Sequence, residues 1–460
     1  MTLPLITQLH LLQLEQYSLK YYLKWNYDHR FSSTIPPKTK IKFTKKANLL
    51  LLTSFLLFIF LGILIVPVSF LAYLLLLFCF LFFPQPFLIL SALLFIPLNL
   101  LSQSITKYQI SSELAKYPNL TTIAITGSFG KTTVKNFLFQ ILDAHQYTTK
   151  TPHSYNTLFG IAKVINQELN RHTHFFICEF AAYKLGEIAE LTELLKPQFA
   201  ILTAIGSQHL QRFGNLKNTT SAKFELIDKL AKSNCLVNLD NSYIYQKIKS
   251  QFYRGINTYS LNNQLATFYL KNYQFTPSGV SFTFCHQKQN YLFTSPVFGT
   301  SALQDLLAAI SMAFLLKVPT SIIQSAVKSI TPASHRLELY QLNRSTIIDN
   351  TYSSNESGFT QIISDLKSVK GSKVLITPGL VELGEDSNQI HLQIGKLAAA
   401  VFDQIILVGQ NSRTSHLNQG INNSSKVSYL THHSDYWPKV KELSKNFDWI
   451  LLENDLPENY

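Results

Sequence analysis

The sequence predicts an α/β fold: a P-loop central domain, a Rossmann-like C-terminal domain, and a transmembrane helical hairpin ahead of both. Three observations predict it. Residues 47–106 contain no Lys, Arg, Asp or Glu at all. From Lys107 onward, short β-rich apolar runs alternate with helical patterns, as in a parallel sheet with crossover helices. The buried-strand pattern Thr121–Thr126 (TTIAIT) runs through a glycine-containing turn into a helical pattern from Thr132 to Leu142. A chain of 460 residues is long enough for two or three domains with separate cores.

The charge-free block reads as membrane-spanning. A secretory signal would start near the N-terminus and carry a shorter apolar core, whereas this block begins at residue 47. Its length accommodates two spans, at about residues 48 to 67 and 70 to 100, the second kinked or continued by an interfacial piece after Pro86. The chain carries 40 Lys and Arg against 27 Asp and Glu, a net charge of +13. Residues 1–46 hold Lys20, Lys24, Arg30, Lys38, Lys40, Lys42, Lys45 and Lys46 against Glu15 and Asp28. Nearly half the basic excess therefore lies beside the apolar block, which points to membrane lipid rather than nucleic acid as its partner and keeps this end on the cytoplasmic side. Cys79, Cys178, Cys235 and Cys285 lie far apart without CxxC or metal-ligand spacing, the pattern of a reduced, cytosolic catalytic part.

The turn between strand and helix is TGSFGKTT at 126–133. Gly127 and Gly130 let the backbone curl so that N–H groups, with that of Ser128, face phosphate oxygens. Lys131 reaches the β and γ phosphates, and Thr132, followed by Thr133, offers a hydroxyl to Mg²⁺. The general pattern GxxxxGK[ST] is not fully met, because Ile125 occupies its first glycine position.

That variant resembles the Mur ligases, which join an amino acid or peptide to a carboxylate during cell-wall precursor synthesis. Further segments follow in the family's order. TPHSYNTLFG at 151–160, with Asn156 and Gly160, is similar to the segment lying over the phosphates, although His153 replaces a usual glycine. HFFICEF ends a strand-like run at Glu179, where the family has a Mg²⁺-binding glutamate. QHLQRFG at 208–214 places His209 as a ligand, or near-ligand, of a second metal, and Lys223 in SAKFE matches the lysine that the family carbamylates. Residues from about Leu239 to Phe298 read as a small β appendage. GTSALQD at 299–305 departs from the family's adenine motif, with Ala302 and Asp305 in place of asparagines.

In the C-terminal part, His335-Arg336-Leu337-Glu338 resembles the hinge, and IIDNTYSSN at 347–355 is close to the segment of the D-alanyl-D-alanine-adding type. By this resemblance Arg336 and Asp349 hold the nucleotide after domain closure, while Tyr352 and Asn355 line the cleft. PGLVELG at 378–384 with His391 is similar to the same type, and the family's C-terminal KGSR has no counterpart.

The resemblance covers about residues 118 to 455 and implies ATP, two Mg²⁺ ions, a carbamylated lysine and an acyl-phosphate intermediate that an amine converts to an amide. It divides the chain into a basic segment (1–46), a transmembrane region (47–106), an ATP-binding central domain (107–330) and a C-terminal domain (331–460). The membrane block stands where the family's UDP-binding domain would be. The expected acceptor is a carboxylate on a lipid-linked or UDP-linked muropeptide, and the expected amine an amino acid or dipeptide. ATP use after the block requires an even number of crossings and cytoplasmic catalytic domains at the inner membrane. A poly-γ-glutamate-type synthetase and a non-catalytic nucleotide-binding membrane scaffold are the alternatives.

Overall fold

The structure is a computed structural model that describes residues 4–14, 17–28, 41, 43–152, 155–182, 184–206, 213, 215–332, 334–351, 354–381, 383, 386–430 and 436–453. Met1–Thr106 and Lys107–Leu456 form two compact units.

The first unit is helical: Pro4–Leu14, Leu19–Asp28, Lys45–Ile65, Phe70–Phe82 and Gln85–Leu94, with Ile96–Leu114 beginning in it. Among the described residues, Lys45–Ile65 is the single helix long and apolar enough to cross a bilayer by itself. Phe70–Phe82 and Gln85–Leu94 qualify only as a pair, and they bend by 82° where they meet. The second stretch, expected at 70 to 100 as a span kinked or continued by an interfacial piece after Pro86, is thus broken at the expected place into two helices. Pro84 and Pro86 lack the N–H groups that would carry a helix through this point, so the chain turns sharply. Gln85–Leu94 then runs antiparallel to Lys45–Ile65: Phe87 meets Phe58, and the Ser91 and Ser54 hydroxyls bond at 2.9 Å.

The second unit holds two sheets. The larger runs in the order β2-β3-β1-β4-β5-β6-β7-β8-β9, where β1 is Thr121–Thr126, β2 Thr148–Lys150, β3 Phe175–Phe180, β4 Phe199–Leu202, β5 Cys235–Asn238, β6 Asn257–Ser260, β7 Phe268–Thr276, β8 Gly279–His286 and β9 Gln289–Ser295. Pairing is parallel from β2 through β7 and antiparallel from β7 to β9. The β-branched run of β1 fits a central strand covered on both faces, and five of its six residues are buried. One face packs under helices Lys131–Asp143, Thr300–Leu315 and Thr320–Lys328, the other under Leu158–Gln167, Glu187–Leu195 and Leu216–Lys229. The expected small β appendage forms as an extension of this sheet. Phe268, Phe282, Phe284 and Phe293 of the meander belong to the same core as Thr300–Leu315, so apolar burial fuses it to the main layer.

The smaller sheet has the order β10-β11-β15-β12-β13-β14, from β10 (Glu338–Leu342), β11 (Ser345–Asn350), β12 (Lys373–Thr377), β13 (Gln404–Val408), β14 (Val427–Leu430) and β15 (Trp449–Glu453). Only β10 is antiparallel. Helices Glu356–Lys367, Ser387–Ala399 and Ser412–Ile421 share one face, and Tyr436–Leu443 covers the other, which returns the chain to insert β15 between β11 and β12. This is the arrangement expected of a Rossmann-like domain.

Candidate active site

The loop after β1 is shaped by two glycines with positive φ, Gly127 at 153° and Gly130 at 81°. A Cβ on Gly127 would lie 2.0 Å from the Thr203 hydroxyl and one on Gly130 2.3 Å from Asp305 Oδ1, so neither position accepts a side chain. Ile125, the departure from the general motif, is wholly buried inside β1; the loop starts after it and has no use for a glycine there. The Ser128 N–H donates to the Ala204 carbonyl at 2.7 Å, and the Thr203 hydroxyl donates to the Phe129 carbonyl. Lys131 Nζ folds onto the loop, donating to the carbonyls of Gly127 (2.7 Å) and Ser128 (3.2 Å). Burial lowers its pKa, while the charge of Glu179 opposes the shift.

Parallel pairing sets Ile125 level with Glu179, so β3 brings its carboxylate beside the loop at the carboxyl edge of the sheet. Thr132 Oγ1 donates to Glu179 Oε2 at 3.2 Å. On the other side, Lys135 Nζ lies 2.6 Å from Glu179 Oε1, both side chains almost completely buried. Burial lowers the Lys135 pKa and Glu179 opposes that shift. Sequence reasoning missed Lys135. The available signal was a lysine between Val134 and Phe137, core positions of its helix, where only an opposite charge makes burial tolerable.

Lys223, on Leu216–Lys229, is buried, and desolvation, followed by repulsion from Lys131, brings its pKa down to about 7. An amine that is substantially neutral near pH 7 is the nucleophilic form. Asp305, one helical turn into Thr300–Leu315, hydrogen-bonds with the Thr133 hydroxyl. Burial pushes its carboxyl far above the usual range, against the charges of Arg336 and Lys131. Arg336 also acts on Lys131 and Lys135, so the hinge arginine belongs to the same electrostatic neighbourhood as the loop.

Around that arginine the backbone is held in the left-handed region, His335 at φ 61° and Leu337 at 54°. His335 Nδ1 lies 2.8 Å from Asp349 Oδ2, and the Thr351 N–H and hydroxyl donate to Asp349 Oδ1 at 3.1 and 2.7 Å. The two proposed nucleotide contacts, Arg336 and Asp349, are therefore linked through His335. Thr300 bridges to the C-terminal sheet's layer: its N–H and hydroxyl donate to Asp365 at 2.7 and 2.6 Å.

Some expected residues stand apart. Asn156 lies half-buried just ahead of Leu158–Gln167. Asn355 caps Glu356–Lys367, accepting from the Gly358 N–H at 2.9 Å. His391 accepts from the Leu380 N–H through Nε2 at 3.0 Å, with Nδ1 2.6 Å from the Ser387 carbonyl, so it pins the PGL turn. His209, His153 and Tyr352 lie outside the described residues. Glu453, also unforeseen, ends β15 in a buried cluster where Asn350 Nδ2 donates to both its oxygens at 3.0 and 2.9 Å and the Ser354 hydroxyl donates to Oε1. Burial raises its pKa to about 7.

Chemically, the loop offers a concave set of backbone donors, a lysine and a hydroxyl, with a carboxylate held opposite. That suits a polyphosphate and a hard cation.

Comparison with known proteins agrees with this geometry. Residues 125–313 match the model of the Mur ligase middle domain. The chain is 30% identical over 354 residues to the UDP-N-acetylmuramoyl-tripeptide--D-alanyl-D-alanine ligase of Buchnera aphidicola subsp. Acyrthosiphon pisum, covering 76% of this chain and 75% of that one. It is 26% identical over 304 residues to the Escherichia coli enzyme of the same name, covering 65% and 67%. Among solved structures, MurF of Thermotoga maritima in complex with ADP superposes with a TM-score of 0.66 at 20% identity, covering 77% of this chain and 80% of that one. MurF of Acinetobacter baumannii gives 0.66 at 23%, covering 77% of each. The chain belongs to the Mur ligase family, as an ATP-dependent ligase of the MurF type.

Proposed function

We propose that this ligase joins a dipeptide amine of the D-alanyl-D-alanine kind to the terminal carboxylate of a muropeptide, at the cytoplasmic face of a membrane. The observation that carries the reading is the Thr132–Glu179–Lys135 array beside the 126–133 loop. Backbone donors of Gly127 and Gly130, with Lys131, Thr132 and Thr133, bind and orient the triphosphate, while Ser128, expected among those donors, gives its N–H to the Ala204 carbonyl and holds the loop's shape. Lys131, now turned onto loop carbonyls, swings to the phosphates and offsets charge building on the transferred group. The acceptor carboxylate attacks the γ-phosphorus and ADP leaves; the amine then attacks the resulting acyl carbon, phosphate departs as the amide forms, and the amine's proton passes to a base or solvent. Arg336, Asp349 and Asn156 close over the nucleotide and exclude water.

The residues fit Mg²⁺. Thr132 and Glu179 supply hard oxygen donors, and Lys223 suits carbamylation, because a buried amine with a pKa near 7 reacts with CO₂ to give the carboxylate that a second ion needs. By the resemblance, His209, which lies outside the described residues, would complete that second set. The ions would neutralise phosphate charge and polarise the transferred group.

Residues 1–46 and 47–106 form the basic segment and membrane anchor, and 107–330 and 331–460 the two catalytic domains. The acceptor is lipid-linked, since an apolar anchor occupies the place of a UDP-binding domain; Lys45–Ile65 supports an anchor of at least one crossing. Phosphate release by the full-length chain, with ATP, D-alanyl-D-alanine and either a UDP-linked or a lipid-linked muropeptide, tests this. Faster turnover of the lipid-linked acceptor is expected. Equal or better turnover of the soluble one by a protein lacking residues 1–106 would overturn the membrane reading, and no stimulation by either acceptor would overturn the ligase assignment.

A further inference from the structure

The helical unit carries a cavity of about 200 Å³ whose lining divides by chemistry. Lys46, Tyr17 and Asn99 supply its polar lining, while Leu50, Ala92 and Phe95 are among its apolar lining residues. Lys46 stands in the first turn of Lys45–Ile65, where the charge-free run begins, and its Nζ rests 4.3 Å from the centroid of the Tyr17 ring. The Tyr17 hydroxyl lies 3.2 Å from Thr44 Oγ1, which caps this helix by accepting the Ala47 N–H. The ammonium is thus held at a fixed place by an aromatic face that orients it without neutralising it. Among the described residues Lys46 meets no carboxylate, and Glu15 and Asp28 are the only acids before residue 107, Glu15 lying outside the described residues. The helix N-terminus beside it adds partial positive charge.

A cation, two neutral hydrogen-bonding groups and an apolar wall, set where an apolar helix begins, match an amphiphile with an anionic head at headgroup depth. We propose that this cavity binds one anionic membrane phospholipid, its phosphate on Lys46 and the start of its acyl chains against Leu50, Ala92 and Phe95. This rests on the reading that the unit sits in a bilayer, and it fixes a lipid at a defined site rather than by a diffuse basic field.

The test is native mass spectrometry of the full-length chain in non-ionic detergent, titrated with phosphatidylglycerol or phosphatidylcholine. One tightly bound phosphatidylglycerol per chain is expected, with Lys46→Gln weakening it roughly tenfold, the scale of one lost charge-assisted hydrogen bond. Ala92→Trp, which fills the cavity, should act likewise, and Lys45→Gln should leave binding unchanged. Equal binding of phosphatidylcholine, equal effects of Lys45→Gln and Lys46→Gln, or displacement of the phospholipid by equimolar polyprenyl diphosphate would overturn the assignment. Should Ala92→Trp not fold, Lys46→Gln, checked by its melting curve, decides alone. Carbonate extraction of membranes reports separately on the bilayer reading: release of the wild-type chain sinks that reading, whereas retention without lipid discrimination sinks the site only.

Discussion

Lys135 and Glu179 form an ion pair of 2.6 Å with both side chains almost excluded from water. The pair stands one helical turn from Lys131, and the other oxygen of the same carboxylate takes the Thr132 hydroxyl. Lys135 therefore fixes the orientation of the carboxylate that the proposed reaction uses.

Removing one member of such a pair strands a charge, so Lys135→Met should destabilise the fold by roughly 3–5 kcal/mol in urea melts. Activity should fall by about 10- to 100-fold, the usual cost of losing a group that orients a metal-binding residue. Combining it with Glu179→Gln should restore most of the stability and none of the activity. A single variant with wild-type turnover would show that the orientation is irrelevant.

Lys223, with its pKa brought to about 7, is increasingly neutral as pH rises through that value and can then take up CO₂. Turnover should depend on bicarbonate, most steeply below pH 7, where protonation competes with carbamylation. Lys223→Ala should be inactive and partly rescued by short-chain carboxylates. Full activity of the alanine variant without additive refutes the modification.

Asp305 sits against Gly130 and Thr133 with its carboxyl kept protonated far beyond the usual range. Because its folded pKa is raised, its contribution is present at low pH and lost as pH climbs through the folded value. Asp305→Asn, a neutral group of the same shape, should retain nucleotide affinity and flatten any alkaline rise in the ATP KM. An identical alkaline profile in the variant would rule this acid out as the cause.

Glu453 gives a separate stability signature. Its pKa rises from 4.5 to about 7 on burial, so the folded state binds the proton more tightly and stability drops between those two pH values as the unfolded chain ionises first. The drop should approach roughly 3 kcal/mol, the equivalent of that shift. Denaturant midpoints of Glu453→Gln should lack it; a parallel decline in both proteins would assign the pH dependence elsewhere.

Much of the catalytic edge was legible because it is local. A β-branched strand, two glycines, a lysine and two threonines specify the loop within one stretch of chain, and the apolar run ending at Glu179 marked a strand whose last residues meet the sheet's crevice. Ile125 departs from the general phosphate-loop pattern but fits the family's variant, and the strand buries it.

The features that were not legible join distant segments. Asp305 reaches Gly130 across a whole sheet's length of sequence, and Thr300 meets Asp365 through a contact between two domains. Glu453 finds Asn350 only because β15 inserts between β11 and β12. The break in the second apolar stretch was legible from the prolines on either side of Gln85, but its 82° angle was not.

The sequence by itself determined the α/β architecture, the loop at 126–133 and a long charge-free apolar stretch ahead of it, because periodicity, glycine placement and charge exclusion are written in neighbouring residues. Only the tertiary structure decided which charges are buried and with what partners. Burial depends on strand order and register, and these bring Lys135 to Glu179, Lys223 into the neighbourhood of Lys131, and His335 to Asp349.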